Sequence, residues 1–548
     1  MIRNLLQPCL AFTVMLLLLS ACGEKPLTNV EHGNRHQILH IGNGEEPKGL
    51  DPHLTTGSPD RNVTAGLYEG LTSLHPKTLK PGPGVAESWS ISEDETTYVF
   101  NIRKNARWSN GDPVTAHDFV WTFKRALTPT LPNEYAYMMY YLRNAEAYHT
   151  GEITDFSQVG IKALSDHQLE IQLNYPASFF LQLLDHHSFY PLHKDTVLAH
   201  GEIDDPLNKW SLPGTFVGNG PFVLTKWELN NVIVLEKNPL YWDAENIKLN
   251  EIHFYPIVDA LDEERAFRAG QIHVTYTPQM AIEKIAVYKE KNPELIQIFP
   301  NYSTYYYNFN TTRPPFDDVR VRKAFAYAVD RVTLTEKVTK GEEVPAYSLI
   351  PPDPEGYTPK EYFKFDVKEA QRLLAEAGYP NGEGFPVKNI LYNTNANHKK
   401  VALAIQQMLK ENLNVDVQLE NQEWKVYLDS MHNLNHDIAR AGWIADYVEP
   451  TNFTDILIPG GGNNHTGWAD PEYRKILDEI KRTSDLEKRY ALFEKANKMI
   501  ADNMPLLPLY YYTDLNLKQT SVKGWYENVM HYHPFNGVYL DDGSTEAQ

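Results

Sequence analysis

The sequence predicts an α/β fold made of several sub-domains, and three observations lead there. Strand-like alternation and helical periodicity succeed each other along the body, as packed layers of sheet and helix require. The chain has 548 residues, which at roughly 150 residues per domain corresponds to two to four domains with ample core. Apolar residues make up 42% and charged residues 22%, a globular balance that excludes collagen-like, disordered and polytopic membrane classes.

The elements follow in order. Residues 98–103 and 168–173 alternate apolar and polar side chains and read as strands. Thr115 and Asp118 have capping-box spacing and open a helix through Phe119, Phe123 and Leu127. Asp366 to Glu369 starts a second helix, and Gly378 stops it beyond Leu374. Residues 401–413 read as a helix feeding a strand at 415–419. Ser484 to Glu487 caps another helix that runs to Asn503. Pro505 and Pro508 bracket the return into an apolar stretch ending in Tyr510-Tyr511-Tyr512. No internal repeat or low-complexity block is evident.

Charge and aromatic content narrow the function classes. With 51 Lys+Arg against 71 Asp+Glu the formal charge is −20, which argues against a nucleic-acid binder. Aromatic residues reach 12%, with 33 Tyr. A large apolar body with a polar handle suits a pocket for varied partners, and it suits a Tyr-rich core equally well.

One segment is able to enter a membrane, and it lies at the start. Arg3 precedes an apolar run at 10–19 that is too short to span a bilayer stably. Leu19-Ser20-Ala21-Cys22-Gly23 resembles the lipobox of bacterial lipoproteins. That resemblance implies a signal peptide at 1–21, a lipid on the Cys22 thiol and a polar tether at 22–36. The other cysteine, Cys9, falls in the removed segment, so the mature chain would carry no disulfide and no free thiol. The expected location is outside the cytoplasm, anchored by lipid and facing the periplasm or the cell exterior.

Catalytic signatures are missing. No Gly-x-Ser-x-Gly elbow, Walker loop or dinucleotide fingerprint occurs. His432 and His436 have the i, i+4 spacing of a zinc helix, but Asn433 stands where the general base belongs, and two partly solvated histidines are expected. His531-Tyr532-His533 lacks a third ligand nearby. Gly460-Gly461-Gly462 lacks the Lys-Ser/Thr of a phosphate loop and reads as a surface loop. The expectation is a non-enzyme with no cofactor and no metal.

Several runs instead resemble, in order, the oligopeptide-binding proteins of bacterial ABC importers, the large solute-binding proteins of family 5. They include Leu50-Asp51-Pro52-His53, Gly66-Leu67-Tyr68-Glu69-Gly70-Leu71 and Gly84-Val85-Ala86-Glu87-Ser88-Trp89. A long match covers 98–126, followed by Asn219-Gly220 and the run from Pro314 to Arg322. The last is Ala439-Arg440-Ala441-Gly442-Trp443-Ile444-Ala445-Asp446-Tyr447. The resemblance spans 37–548. It implies a two-lobed periplasmic-binding-protein-like fold of type II, in the large peptide-binding class, with an extra domain on the first lobe. The first lobe would combine 37–68, 195–302 and 514–548, the extra domain 69–194 and the second lobe 303–513. The chain would cross between lobes near Tyr302 and Thr513.

The resemblance also implies how a peptide is held. Asp446 occupies the position that receives the peptide's α-ammonium. Gly442 and Arg440 on one side and Gly57-Ser58 on the other match positions that pair with the peptide backbone as an added strand. Tyr135, Tyr306, Trp424, Trp443, Asn393 and His398 match positions that line side-chain pockets. There are departures too. Ser303 and Ile444 stand where some relatives carry a disulfide, Thr56 replaces an acidic residue, and Thr339 and Met431 replace basic ones, with Lys340 adjacent. Fewer cations along the groove imply a narrower range of peptide lengths. The implied partners are short peptides, the permease subunits of an ABC transporter and, through the lipid alone, a membrane. A monomer is expected. The alternatives are a receptor for cell-wall (murein) peptides and a surface interaction or chaperone-like protein.

Overall fold

The computed structural model describes residues 26–275, 280–354 and 356–543. Three main sheets divide the chain. The first is four-stranded, in the order Ile38–Gly42, Glu251–Tyr255, Val232–Lys237, Phe222–Glu228, with its first pair parallel and the others antiparallel. Leu39, Ile233, Leu235, Ile252 and Phe254 alternate along these strands and are fully buried, which fixes the register, since a one-residue slip would turn them to solvent.

The second sheet is antiparallel, in the order Ala86–Ile91, Thr97–Ile102, Gln168–Gln172, Ile161–Ser165. The predicted capping box forms: the Asp118 carboxylate accepts from the Thr115 backbone N–H at 2.7 Å, and the helix Ala116–Ala126 buries Phe119 and Phe123. Arg125, on the same helix, reaches back to Asp51 with a two-pronged contact of 2.6 and 3.1 Å, and both groups are buried. Burial alone would raise Asp51, but the Arg125 guanidinium holds it below the usual carboxylate range. The Asp51 run thus ties the segment before the second sheet to that sheet's own helix. Asn219 exchanges hydrogen bonds with the Glu69 backbone, at 3.1 and 2.8 Å, and does the same for the start of the next segment.

The third sheet has six strands, in the order Val344–Pro345, Leu506–Leu517, Ile296–Phe309, Ile438–Ile444, Lys388–Asn393, Val417–Gln422. Its two longest strands pair with each other. Ile296–Phe309 and Leu506–Leu517 run antiparallel with one register from Ile296↔Leu517 to Pro300↔Thr513 and another beginning at Thr304↔Tyr511. The break falls between Pro300 and Thr304. Pro300 has no N–H to give to a ladder, and Tyr302 pairs instead with Val529 and Ala445.

Several boundaries differ from the sequence reading, the first within the expected tether at 22–36: Asn29–His36 form a helix with a Thr28–Glu31 capping box, tied to the first sheet's side by the Val30 N–H to the Gly270 carbonyl. The long helix begins at Ala396 rather than 401, because Asn395 caps it through the N–H groups of Asn397 and His398. The following strand is Val417–Gln422, two residues late. Asn414 takes a left-handed conformation and Val415 completes the helix end by donating to the Leu409 carbonyl. The last helix is Leu486–Asn503, capped by Asp485 and not by Ser484. The helix Trp424–His432 ends before His436, and Leu434 at φ 52° turns the chain away. His432 and His436 therefore share no helix face, and His436 is buried, where partial solvation was expected; burial lowers it to about 4.

Ser303 and Ile444 are direct cross-strand partners in the third sheet. Replacing both with Cys should therefore form a disulfide without moving the backbone. Closing so long a loop is worth at most about 4–5 kcal/mol. The expected result is a melting temperature raised by several degrees in oxidising buffer and returned to the wild-type value by reductant.

Candidate functional site

A cleft of about 1300 Å³, counted to its open mouth, is lined by the third sheet, by residues 56–59 and Arg61, and by Tyr135 and His187. Its floor is the strand Ile438–Ile444. One edge of that strand pairs fully with Ile296–Phe309, while the other pairs with Lys388–Asn393 only at Ile438 and Ala439. Beyond Ala439 the edge carrying Arg440, Ala441, Gly442, Trp443 and Ile444 has no partner strand among the described residues, and these residues line the cleft. A strand edge with unpaired N–H and C=O groups is a template for an extended chain.

Opposite this edge, the helix Ser58–Leu67 begins at Gly57, and Gly57 and Ser58 face the cleft. Gly57 is required here by close approach. A Cβ there would stand 2.5 Å from Asp60 Oδ2 and 3.3 Å from the Trp424 ring of the other wall. Trp424 stacks on Tyr427 at 5.6 Å, and its buried indole N–H has no partner. With Leu428 and Met431 it forms the cleft-facing side of one helix at i, i+4 and i+7.

Asp446 closes one end. It is 6% exposed, and its Oδ2 makes no hydrogen bond. Its Oδ1 lies 3.2 Å from His186 Nε2, without the alignment of a hydrogen bond, and 3.9 Å from the Arg61 guanidinium. A buried carboxylate with one oxygen unserved is a strong acceptor for an incoming cation. Asn452 positions this end: its Oδ1 accepts from the Trp443 indole at 2.6 Å and from the Asp446 backbone N–H at 3.3 Å. Tyr135 lies edge-on to His186 at 4.7 Å and 6.3 Å from Trp443.

Arg440 stands further along the cleft. Its guanidinium donates to the Tyr512 hydroxyl at 2.6 Å and to Asn393 Oδ1 at 3.4 Å, and it lies 4.8 Å over the Tyr305 ring. Its Nε–H is buried without a partner. The Tyr427 hydroxyl donates to the Arg440 carbonyl. Glu45, on the first-lobe wall, hydrogen-bonds Asn393; burial pushes its carboxyl up to about 7, with the Asn393 bond opposing. His465 also lines the cleft, held near 3 by burial and by His436 and His432, so its imidazole is neutral.

Of the residues read from sequence, Asp446, Trp443, Gly442, Arg440, Tyr135, Asn393, Tyr306, Trp424, Gly57 and Ser58 all line this one cleft. His398 does not. It sits behind the Tyr305 ring, with its Nδ1 3.4 Å from the Tyr305 hydroxyl, and burial holds it neutral. Thr56 and Met431 line the cleft, whereas Thr339 is buried elsewhere against Glu343. Cys22 lies outside the described residues. Sequence reasoning missed Arg61, His187, Glu45, Asn463 and His465 in the lining, and Asn452 behind it. Only Arg61, one helical turn after Gly57, carried any signal. Among the described residues no group of three His, Cys, Asp or Glu is placed to hold a metal ion, and no helix is long and apolar enough to cross a membrane.

The family model for bacterial extracellular solute-binding proteins, family 5 (middle), matches residues 80–465. This chain is a family 5 solute-binding protein. It is 37% identical over 512 residues to the periplasmic oligopeptide-binding protein OppA of Salmonella typhimurium, covering 92% of each chain. Haemophilus influenzae OppA in complex with the peptide RPPGFSPFR superposes on this solute-binding protein with a TM-score of 0.87, at 34% identity, covering 92% of this chain and 99% of that one. The murein tripeptide-binding protein MppA of Escherichia coli gives 0.87 at 33% identity, covering 92% and 98%. Its unliganded open form gives only 0.62. Since the sequence of MppA is the same in both, the difference lies in how its lobes are arranged, and the present lobes are not in that open arrangement.

Proposed function

We propose that this family 5 protein captures short oligopeptides by their free amino terminus and backbone, between lobes that close over them, and delivers them to the permease of an ABC importer. The observation that carries the reading is the unpartnered strand edge of residues 440–444, ending at the half-satisfied buried carboxylate of Asp446. A peptide needs partners for its main chain and for its charged end when it leaves water. An extended backbone on that edge, with its ammonium on Asp446, has both. Among the relatives named above, one is called oligopeptide-binding and another was solved with a peptide, which supports the same ligand class. Recognition through the backbone leaves side chains to the aromatic walls and to water, so many sequences are accepted.

The protein is exported, anchored by a lipid on Cys22 and otherwise free of the membrane, and it works as a monomer. A murein peptide is the second reading, favoured by the likeness to MppA, because such a ligand also presents a free amine.

Native mass spectrometry of the protein without residues 1–25, which keeps the helix Asn29–His36, followed by acid release, tests this. The expected result is a set of short peptides with free amines and a narrow length distribution, since Arg440 is the one cation on the cleft's far side from Asp446 among the described lining residues. Equal affinity across peptides of two to five residues would remove the length claim. A single muropeptide would replace the ligand class.

A further inference from the structure

A second cavity of about 960 Å³ adjoins the cleft and shares two lining residues with it, Arg61 and His187. Arg61 projects from the helix Ser58–Leu67, and its side chain is 26% exposed. Among the described residues its guanidinium makes one ion pair, with Asp446 Oδ1, and at 3.9 Å that contact is too long for a hydrogen bond. The guanidinium thus lies loosely at the carboxylate that the proposed function assigns to the peptide's ammonium. Two cations cannot share one buried carboxylate without strong repulsion.

The chamber holds a second carboxyl for it. Asp185 is 8% exposed, lines the chamber and forms no ion pair among the described residues. Burial pushes it up to about 8, against the Tyr532 hydroxyl and the Arg61 charge. The other groups facing the chamber leave it unneutralised. Glu69 is itself acidic and is bound by the Tyr241 hydroxyl and the Trp242 indole, at 2.5 and 2.7 Å. His187 donates its Nε2–H to the Thr55 carbonyl at 3.0 Å, which leaves Nδ1 as a buried acceptor without a partner. Burial holds His187 and His533 well below the usual histidine range. His531 faces Asp514 at 3.5 Å, and the remaining titratable neighbours, Tyr68, Tyr190 and Tyr532, are neutral phenols. An acidic chamber with a free imidazole acceptor suits a cation, and the chain's own cation stands at its entrance.

We propose that Arg61 stands in for the ligand's α-ammonium at Asp446, and that peptide binding drives it into the adjoining chamber onto Asp185. The inference rests on the peptide reading above. When the guanidinium arrives, the Asp185 carboxyl gives up its proton to solvent, and no covalent bond changes apart from that O–H. Asp185 is mostly protonated at pH 7, so binding releases up to about 0.9 proton from this group. Glu45 titrates in the cleft in every variant alike, so the informative quantity is a difference between variants.

The test is calorimetric titration of the full protein with trialanine at pH 7, in two buffers of different ionisation enthalpy. Wild type should release about half to one proton more than Asp185→Asn. Arg61→Gln, which removes the exchanging cation itself, should lose the same release. Equal proton counts in wild type and Asp185→Asn overturn the exchange, as does an Arg61→Gln protein that keeps the wild-type count. Absence of binding heat in all three overturns the peptide reading, and this inference with it; heat without the proton difference overturns the exchange alone.

Discussion

Asp446→Asn should weaken binding of free-amine peptides by about a hundredfold to a few thousandfold, the equivalent of removing one partner of a buried charge pair at about 3–5 kcal/mol. The wild-type carboxylate is 6% exposed, with Oδ2 unpaired, so an ammonium placed there gains a charge-assisted bond that water does not compete for. Asn keeps the shape and loses the charge, and one of its oxygens becomes a donor facing a donor. N-acetylation of the peptide removes the same interaction from the other side. Wild type with acetylated peptide and variant with free peptide should therefore be comparably weak, and combining both changes should cost little more. The melting temperature should hardly move, because the Arg61 side chain left behind is partly exposed and can turn to water. An Asn variant that binds as wild type does, measured by calorimetry, would place the ammonium elsewhere.

Gly442→Val is the second large effect. A Cβ at Gly442 would lie 2.5 Å from the Tyr512 hydroxyl and 3.1 Å from its ring. Tyr512 is buried and edge-on to Tyr305 and Tyr510, so its ring is held on the side away from the cleft. Its hydroxyl is also the closest acceptor of Arg440, at 2.6 Å. Displacing it costs about 1–3 kcal/mol in overpacking and loosens a buried guanidinium as well. The branched side chain stands on the free strand edge itself, where an added peptide strand would lie. The expected outcome is a folded protein, with near-native circular dichroism, that has lost at least tenfold in peptide affinity. Unchanged affinity would show that ligand does not use this edge.

The extent to which the sequence announced these features depends on the kind of interaction. The capping box at Thr115 and Asp118 and the helix starting after Asp366 were legible because a cap is a local hydrogen bond between near neighbours. The strand at 417–422 was misplaced because the helix before it consumed Val415 in its own termination, a competition that periodicity does not register. The tyrosine excess had two open explanations. Both hold: Tyr305 and Tyr510 stack within the core at 4.6 Å, while Tyr135, Tyr306 and Tyr512 line the cleft. His398 shows the limit of reading residues from resemblance. It packs against Tyr305, a core ring one residue before the lining residue Tyr306, and is itself buried away from the cleft.

The sequence by itself determined the α/β class, the membership carried by its ordered motifs, and the run Ala439–Tyr447 that holds Gly442 and Asp446. Those are properties of contiguous residues, and contiguous residues share one element. Only the tertiary structure decided that the edge of that strand is unpaired past Ala439, that Asn452 holds Trp443 and Asp446 together, and that Arg61 stands between two buried carboxyls on separate segments. Each of these brings together groups far apart in the chain. Their strength comes from burial, which no residue carries in its own identity and which exists only once the lobes have packed.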